Sequence, residues 1–192
     1  MREKQKLYLI VGPTASGKTA ASLEVAKCIN AEVISADSIQ VYRGMDIGSA
    51  KPSMEERAGI PHHMLSVVAP NETKFSVACF REMADACIAD IAAREKRPLV
   101  VGGTGLYVNA LTYPLNFTGA PADPAIREKY VSLEAEQPGA AHKRLQEVDP
   151  ASAARLHPND KKRVIRALEV FELTGRPISE NGEGFSALDE SK

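Results

Sequence analysis

The sequence predicts an α/β protein in which a parallel β-sheet is flanked by helices and followed by a helical region. Short, continuously apolar runs alternate with segments of helical periodicity as far as residue 101, a pattern typical of strands buried on both faces of a sheet. No strand-like run occurs between Leu115 and Gly175. The length of 192 residues is sufficient for one α/β domain with a small second lobe.

The composition excludes several classes of protein. Lys and Arg number 24 against 25 Asp and Glu, and 44% of the residues are hydrophobic. These values argue against global disorder and against a fully cationic nucleic-acid binder, although a local basic patch remains open. The sequence has no apolar stretch of 18 residues, and the apolar run after Lys6 is too short for the core of a signal peptide. Its three cysteines form neither a close pair nor a metal spacing, so we expect a reduced, cytoplasmic protein.

The first third of the chain predicts a strand–helix–strand unit with a right-handed crossover. Leu7–Val11 is the first strand, Lys18–Ile29 the helix and Val33–Ala36 the second strand. The stretch 44–61 is rich in glycine, proline and polar residues and predicts a long loop, and such loops in compact domains are usually functional or mobile. A short extended segment is expected at 64–68.

The rest of the chain predicts one more strand and several helices. Residues 76–94 form the clearest helix, because apolar residues recur at helical spacing, with Cys87 among them as a packing residue. The next strand is 98–101. Further helices are expected at about 124–136, 140–148, 150–156 and 160–174, and the polar tail 179–192 is expected to be frayed or disordered.

Residues 12–19 match the phosphate-binding pattern G-x-x-x-x-G-K-[ST] at every fixed position, between a strand and a helix. The glycines let backbone N–H groups face a phosphate, and the helix N-terminus adds partial positive charge. Lys18 supplies a cation, and the Thr19 hydroxyl can ligate Mg²⁺. The candidate diphosphate- or nucleotide-binding residues are Gly12, Pro13, Thr14, Ala15, Ser16, Gly17, Lys18 and Thr19. The motif indicates a di- or triphosphate, which need not be a nucleotide.

The carboxyl ends of the other strands carry further candidates, because open α/β sheets bind ligands at that edge. Asp37 follows the second strand and can act as a general base, or it can cap the following turn. The strand 98–101 ends in Gly102 and Gly103 rather than in a Mg²⁺-linked aspartate, which disfavours an ATPase. These glycines would permit the close approach of a ligand, and Thr104 offers a hydroxyl.

The last predicted helix begins with four cations in the six residues 161–166. Cations at a helix N-terminus oppose the helix dipole, so helix stability does not explain them. They form either a solvated charged face or a surface that recognises an anionic nucleic-acid backbone. The four histidines have no partner at metal spacing, and we assign them structural or solvent roles.

Four segments, in this order, resemble the tRNA dimethylallyltransferase family, also called tRNA isopentenyltransferases. They read GPTASGKT (12–19), ISADSIQVYRGMDIGSAKP (34–52), VGGTGLYVNAL (101–111) and HPNDKKRVIRALEVFELTGRPISE (157–180). An unrelated kinase would share only the first segment. The resemblance implies a P-loop NTPase-like α/β core over 1–117. It also implies an inserted helical domain over 118–157 that binds the tRNA anticodon stem, and a core helix over 158–178.

The resemblance also implies a reaction. The dimethylallyl group of dimethylallyl diphosphate would pass to the exocyclic amine of the adenosine adjacent to the anticodon in tRNA, and diphosphate would leave with the assistance of Mg²⁺ held by Thr19. Asp37 and Thr104 would be catalytic. The residues expected to contact tRNA are Asp37, Ser38, Ile39, Gln40, Thr104, Arg127, Lys162, Arg163, Val164, Ile165 and Arg166. The enzyme must extrude the adenine, because a stacked base cannot reach the donor.

The family normally continues past the region matched here, so the resemblance implies an incomplete sheet and a weakened or lost activity for this chain, which we expect to be a monomer. Three other interpretations stay open. They are a P-loop small-molecule kinase, an isopentenyltransferase of free adenine nucleotides, and a non-catalytic fragment that binds tRNA or diphosphate. The glycines that end the strand 98–101 disfavour the kinase, and the helical region and basic helix disfavour the free-nucleotide enzyme.

Overall fold

The computed structural model describes residues 6–113 and 122–181 of the chain. They belong to two compact units, which divide between Pro114 and Leu115. The first unit is an α/β unit and the second is helical. The predicted frayed tail lies outside the described residues from position 182 onward.

The α/β unit is built on a parallel sheet, as the sequence predicts. Its strands are β1 (Tyr8–Val11), β2 (Ala31–Ala36), β3 (His62–His63) and β4 (Arg97–Gly102), in the spatial order β1-β4-β2-β3. Its helices are α1 (Lys18–Ile29), α2 (Val77–Ala93) and α3 (Gly105–Thr112). The two strands of the predicted βαβ unit are not neighbours, because β4 pairs with both, with Leu99 between Tyr8 and Val33.

The buried sheet centre explains why β4 takes this position. Val33 and Leu99 pack with Ala26 of α1 on one face, and Ile34 and Val100 belong to the apolar cluster on the other. This second cluster also contains Phe80 of α2 and Tyr107 of α3, whose rings stack with centroids 3.9 Å apart. Residues of β2 and β4 are therefore apolar on both faces, which produces the continuous apolar runs seen in the sequence.

Two elements of this unit were not predicted. The extended segment expected at 64–68 is displaced, because His62 and His63 pair with β2 whereas Met64 and Ser66 adopt left-handed backbone angles. Val68 retains one isolated bridge, to Tyr42. Helix α3 was missed because its eight residues directly follow a glycine-rich strand end, which predicts a loop.

The helical unit contains α4 (Pro124–Glu136), α5 (Ala140–Val148), α6 (Pro150–Arg155), α7 (Lys161–Thr174) and a 3₁₀ turn (Ile178–Asn181). The aspartate–proline pairs act as predicted, since the Asp123 carboxylate accepts hydrogen bonds from Ala125 and Ile126 N–H, and Asp149 accepts one from Ser152 N–H. Among the described helices of both units, none is long and apolar enough to cross a membrane.

Helix α7 belongs to this helical unit, which differs from the predicted core helix over 158–178. Val164 and Leu168 of α7 share an apolar cluster with Tyr130 of α4 and Leu145 of α5. The predicted boundary at residue 157 therefore does not separate α7 from α4 and α5. The physical reason is that the apolar stripe of α7 completes the core of the small helical unit.

Candidate active site

The phosphate loop joins β1 to α1 through a tightly curved backbone. Ala15 and Gly17 both adopt left-handed angles, with φ of 63° and 80°. The Lys18 ammonium donates to the Pro13 carbonyl and so bridges the two sides of the loop. Such a loop at a helix N-terminus presents backbone N–H groups and a lysine to an anion.

The three strand ends predicted to form the site meet at one edge of the sheet. Gly12 N donates to Gly102 O at 3.4 Å, and Thr104 N donates to Ala36 O at 3.2 Å. The Thr104 hydroxyl then accepts a hydrogen bond from Ser38 N at 3.0 Å. Two backbone hydrogen bonds and one to the Thr104 side chain thus connect the phosphate loop, the end of β4 and the segment that begins with Asp37.

The glycines at the end of β4 have a packing role that the sequence did not predict. A Cβ atom on Gly102 would lie 2.3 Å from Ala36 O, and one on Gly103 would lie 2.8 Å from Gly12 O. The neighbouring backbones of β2 and the phosphate loop therefore require these glycines for strand-end packing, and the close approach of a ligand to them stays a prediction.

Asp37 combines the two roles that the sequence left open. Its Oδ1 accepts hydrogen bonds from Ile39 N at 2.8 Å and Gln40 N at 3.1 Å, so it caps the turn after β2. Its Oδ2 accepts no hydrogen bond from the described residues and is available to a substrate. Burial is the main cause that raises the pKa of Tyr107 to about 12, and the negative charges of Tyr42 and Asp37 add to it. The Tyr107 hydroxyl therefore stays protonated at neutral pH.

The Gln40 side chain is committed to the protein, although the resemblance implies that it contacts tRNA. Its Oε1 accepts a hydrogen bond from Ser35 Oγ at 3.0 Å. Its Nε2 donates to Ser49 O at 3.1 Å and Ala50 O at 3.3 Å. Gln40 therefore ties β2 to the following loop, whereas the neighbouring Ile39 side chain is exposed.

Thr19 is the residue predicted to hold Mg²⁺. It is exposed near the start of α1, and its hydroxyl has no hydrogen-bond partner among the described residues. A small cavity of about 30 Å³ with a mixed polar and apolar lining lies beside it, lined by Thr19, Ser22, Val33, Ser35, Gln40, Pro52, His62, Leu65 and Val101. One hydroxyl combined with diphosphate oxygens and water fits Mg²⁺. The described residues contain no His, Cys, Asp or Glu cluster able to hold a metal without such a ligand.

Two of the arginines predicted to contact tRNA bind a buried carboxylate in the helical unit. Arg127 donates to Glu169 at 2.8 and 3.1 Å, and Arg166 also donates to Glu169, which is fully buried. Burial acts to raise the pKa of Glu169, but the hydrogen bonds from Arg127 and Arg166 outweigh it and lower that pKa. Since the Arg127 side chain is still about half exposed, it can also face a phosphate.

The segment 162–166 divides into two kinds of residue. Val164 and Ile165 are only 1% and 9% exposed, so their side chains belong to the apolar core. The expected tRNA contact at these two positions stays a prediction. Lys162 and Arg163 are exposed on the other face of α7. Helical periodicity separates the exposed pair from the buried pair, because residues two positions apart point to different sides of a helix.

Lys51 is a further residue of this region that its sequence context does not reveal, and its side chain is only 3% exposed. Its ammonium donates to Tyr42 O at 2.7 Å, Asp46 Oδ1 at 2.7 Å and Ser66 Oγ at 2.8 Å. A lysine in a polar stretch predicts a solvated side chain, so only its position in the segment 34–52 could have drawn attention to it.

The fold and site together define a P-loop-like α/β protein that carries a separate helical unit. The family model "IPP transferase" matches residues 40–189, and the model "Isopentenyl transferase" matches residues 5–67. The chain therefore belongs to the IPP transferase family.

Curated relatives include tRNA dimethylallyltransferases from Symbiobacterium thermophilum and Geobacter metallireducens. The first is 55% identical over 92% of this chain and 55% of the relative, and the second is 52% identical over 98% and 60%. The chain thus spans a little over half the length of these relatives. Solved structures that resemble it include a tRNA isopentenylpyrophosphate transferase from Bacillus halodurans, with a TM-score of 0.59, 49% identity and coverage of 91% of this chain and 57% of that one. A eukaryotic dimethylallyltransferase acting on tRNA gives a TM-score of 0.82 at 35% identity, with coverage of 96% and 46%.

Proposed function

We propose that this chain transfers the dimethylallyl group of dimethylallyl diphosphate to the exocyclic amine of the adenosine adjacent to the anticodon in tRNA. The observation that carries this proposal is the meeting of three strand ends at one edge, where a phosphate loop, an aspartate and a threonine are linked by hydrogen bonds. The curated relatives named above carry the name of this activity.

The proposed reaction is a displacement at the first carbon of the dimethylallyl group. The adenine nitrogen forms the new C–N bond while the C–O bond to diphosphate breaks, and diphosphate leaves with the bonding electrons. The loop 12–19 and Lys18 stabilise the negative charge that develops on the diphosphate. Asp37 Oδ2 accepts the proton released by the amine, and its Oδ1 stays on the turn that orients it.

Magnesium is part of the proposal. Thr19 would hold the ion together with the diphosphate oxygens, and the ion would neutralise part of the charge of the leaving group. Thr104 positions the segment after β2 through its hydrogen bond with Ser38 N, so its hydroxyl is placed beside Asp37.

The helical unit would bind the anticodon stem. Lys162 and Arg163 supply exposed cations for RNA phosphates, and Arg127 supplies a guanidinium whose orientation Glu169 fixes. We further propose that the protein acts as a monomer in the cytoplasm, where unmodified tRNA is found.

The direct test is incubation with labelled dimethylallyl diphosphate, Mg²⁺ and unmodified tRNA, with the protein in excess and nucleosides analysed afterwards. We expect labelled adenosine from the position next to the anticodon, formed more slowly than by a full-length relative assayed in parallel. The proposal is wrong if no labelled nucleoside forms and dimethylallyl diphosphate with Mg²⁺ does not raise the melting temperature.

The kinase interpretation is tested by the same thermal measurement. The transferase predicts greater stabilisation by dimethylallyl diphosphate than by ATP, each with Mg²⁺. The kinase predicts the reverse order, together with phosphoryl transfer.

A further inference from the structure

The loop after Gln40 exposes an apolar residue at its tip. Ile47 is 98% exposed, the highest value of any large apolar side chain among the described residues. Met45, two residues before it, is about half exposed. We call residues 44–51 the arm. An isolated exposed isoleucine would need no explanation, but this one lies on a segment that several side-chain hydrogen bonds hold in place.

Side chains from outside the tip hold the arm in place. Gln40 Nε2 binds the carbonyls of Ser49 and Ala50 at the end of the arm. The buried Lys51 ammonium binds Tyr42 O on one side and Asp46 on the other. Within the arm, Ala50 N donates to Ile47 O at 3.2 Å and Lys51 N to Asp46 O at 3.2 Å. Burying a lysine ammonium is unfavourable unless its hydrogen bonds are satisfied. The three hydrogen bonds of Lys51 meet this requirement and fix the loop.

The base of the arm adjoins the proposed site. Gln40 N donates to Asp37 Oδ1, so the residue that braces the arm also defines the aspartate turn. Gln40 and Pro52, which flank the arm, line the same small cavity as Thr19. The arm therefore leaves the sheet at the edge where the phosphate loop and Asp37 meet.

We propose that Ile47 is an apolar wedge that packs against the bases beside the target adenosine and takes the stacking place which that adenine vacates. This inference rests on the proposed function. Extrusion of a base leaves a gap in the anticodon loop, and exposed apolar side chains fill such gaps in other nucleic-acid complexes. An arm held by these hydrogen bonds suits this role, because a loop that is already ordered loses less conformational entropy when the wedge is inserted.

The test uses the full chain and an anticodon stem-loop RNA with 2-aminopurine at the target position, whose fluorescence rises when the base leaves the stack. We expect Ile47→Ala to bind this RNA roughly tenfold more weakly, because the apolar contact area is lost, and to give a smaller rise in fluorescence at saturation. Ile47→Leu should restore both values. Met54→Ala is the matched control, since Met54 is exposed on the same connection but lies beyond the arm.

The outcomes separate this inference from the proposed function. If wild-type protein extrudes the base and Ile47→Ala does so equally well with unchanged affinity, the wedge is wrong and the proposed function stands, and the exposed isoleucine then serves a protein partner or none. If wild-type protein neither binds the RNA nor raises its fluorescence, the proposed function fails first. Unchanged melting temperature and unchanged dimethylallyl diphosphate binding in Ile47→Ala show that any loss is specific to RNA.

Discussion

At the scale of single residues, Asp37 shows how one carboxylate serves structure and chemistry together. One oxygen closes the turn after β2, and the other faces no hydrogen-bond donor among the described residues. The sequence presented these roles as alternatives, because it could not show that the two oxygens have different surroundings. Mutations of Asp37 must therefore separate the turn from the charge.

Asp37→Asn keeps an oxygen that can accept both backbone hydrogen bonds, but it removes the base. We expect transfer to fall by about 100-fold or more, with the free energy of unfolding changed by less than about 0.5 kcal/mol. Asp37→Ala loses the cap as well and should also lower the melting temperature. Single-turnover transfer and thermal unfolding distinguish the two variants, and unimpaired transfer by Asp37→Asn would remove Asp37 from the chemistry.

Gly102 provides a second prediction at this scale. A methyl group there meets the backbone of Ala36 at 2.3 Å, at the end of β4, so Gly102→Ala must separate the end of β4 from β2. We expect destabilisation of about 3 kcal/mol, measured by urea unfolding. Gly105→Ala is the control, because no atom lies within 4 Å of the added carbon. Equal stability of the two variants would contradict this account of the strand ends.

At the scale of elements, α7 has an apolar face and a charged face. Its apolar side completes the helical unit through Val164, Ile165 and Leu168. Its first turn leaves Lys162 and Arg163 exposed. The sequence showed both the apolar stripe and the cations, but it did not show that the stripe packs with α4 and α5.

We expect the double variant Lys162→Gln, Arg163→Gln to bind tRNA more weakly and to depend less on salt, with the slope of log K against log salt reduced by about 1 to 2. The melting temperature should not fall, since neither side chain is part of the core. Lys27→Gln, a cation on α1, serves as the control. The measurement is the tRNA affinity between about 50 and 200 mM salt, the range over which phosphate contacts weaken. An unchanged slope would make these residues a solvated surface.

At the scale of the whole molecule, a charge network holds the α/β unit together around the starts of β2 and β4. Glu32 is 1% exposed and accepts hydrogen bonds from Arg94 at 2.8 Å, Lys96 at 2.9 Å and His63 at 2.7 Å. Arg94 also binds Asp90. The hydrogen bond from Arg94 is the main cause of a lowered Glu32 pKa, and burial, which acts to raise it, is outweighed.

This network predicts a dependence of stability on pH. Because the pKa of Glu32 is lower in the folded than in the unfolded protein, its contribution is fully present above the ordinary value of 4.5 and declines as the pH falls below it. Glu32→Gln should lower the free energy of unfolding at neutral pH by about 2–4 kcal/mol and flatten its decline between about pH 5 and pH 2. Urea unfolding across this range measures both effects. The exposed Glu24→Gln is the control, and an acid profile unchanged in Glu32→Gln would show that other carboxylates dominate.

The sequence by itself determined the local chemistry of this protein. The phosphate loop, the strand–helix alternation, the aspartate caps of α4 and α6 and the family resemblance all lie in short segments, where side-chain type and spacing are sufficient. Tertiary structure alone decided which segments meet. It placed β4 between β1 and β2, assigned α7 to the helical unit, and buried Lys51, Val164 and Ile165. These outcomes depend on packing between residues far apart in the chain, which no local pattern encodes.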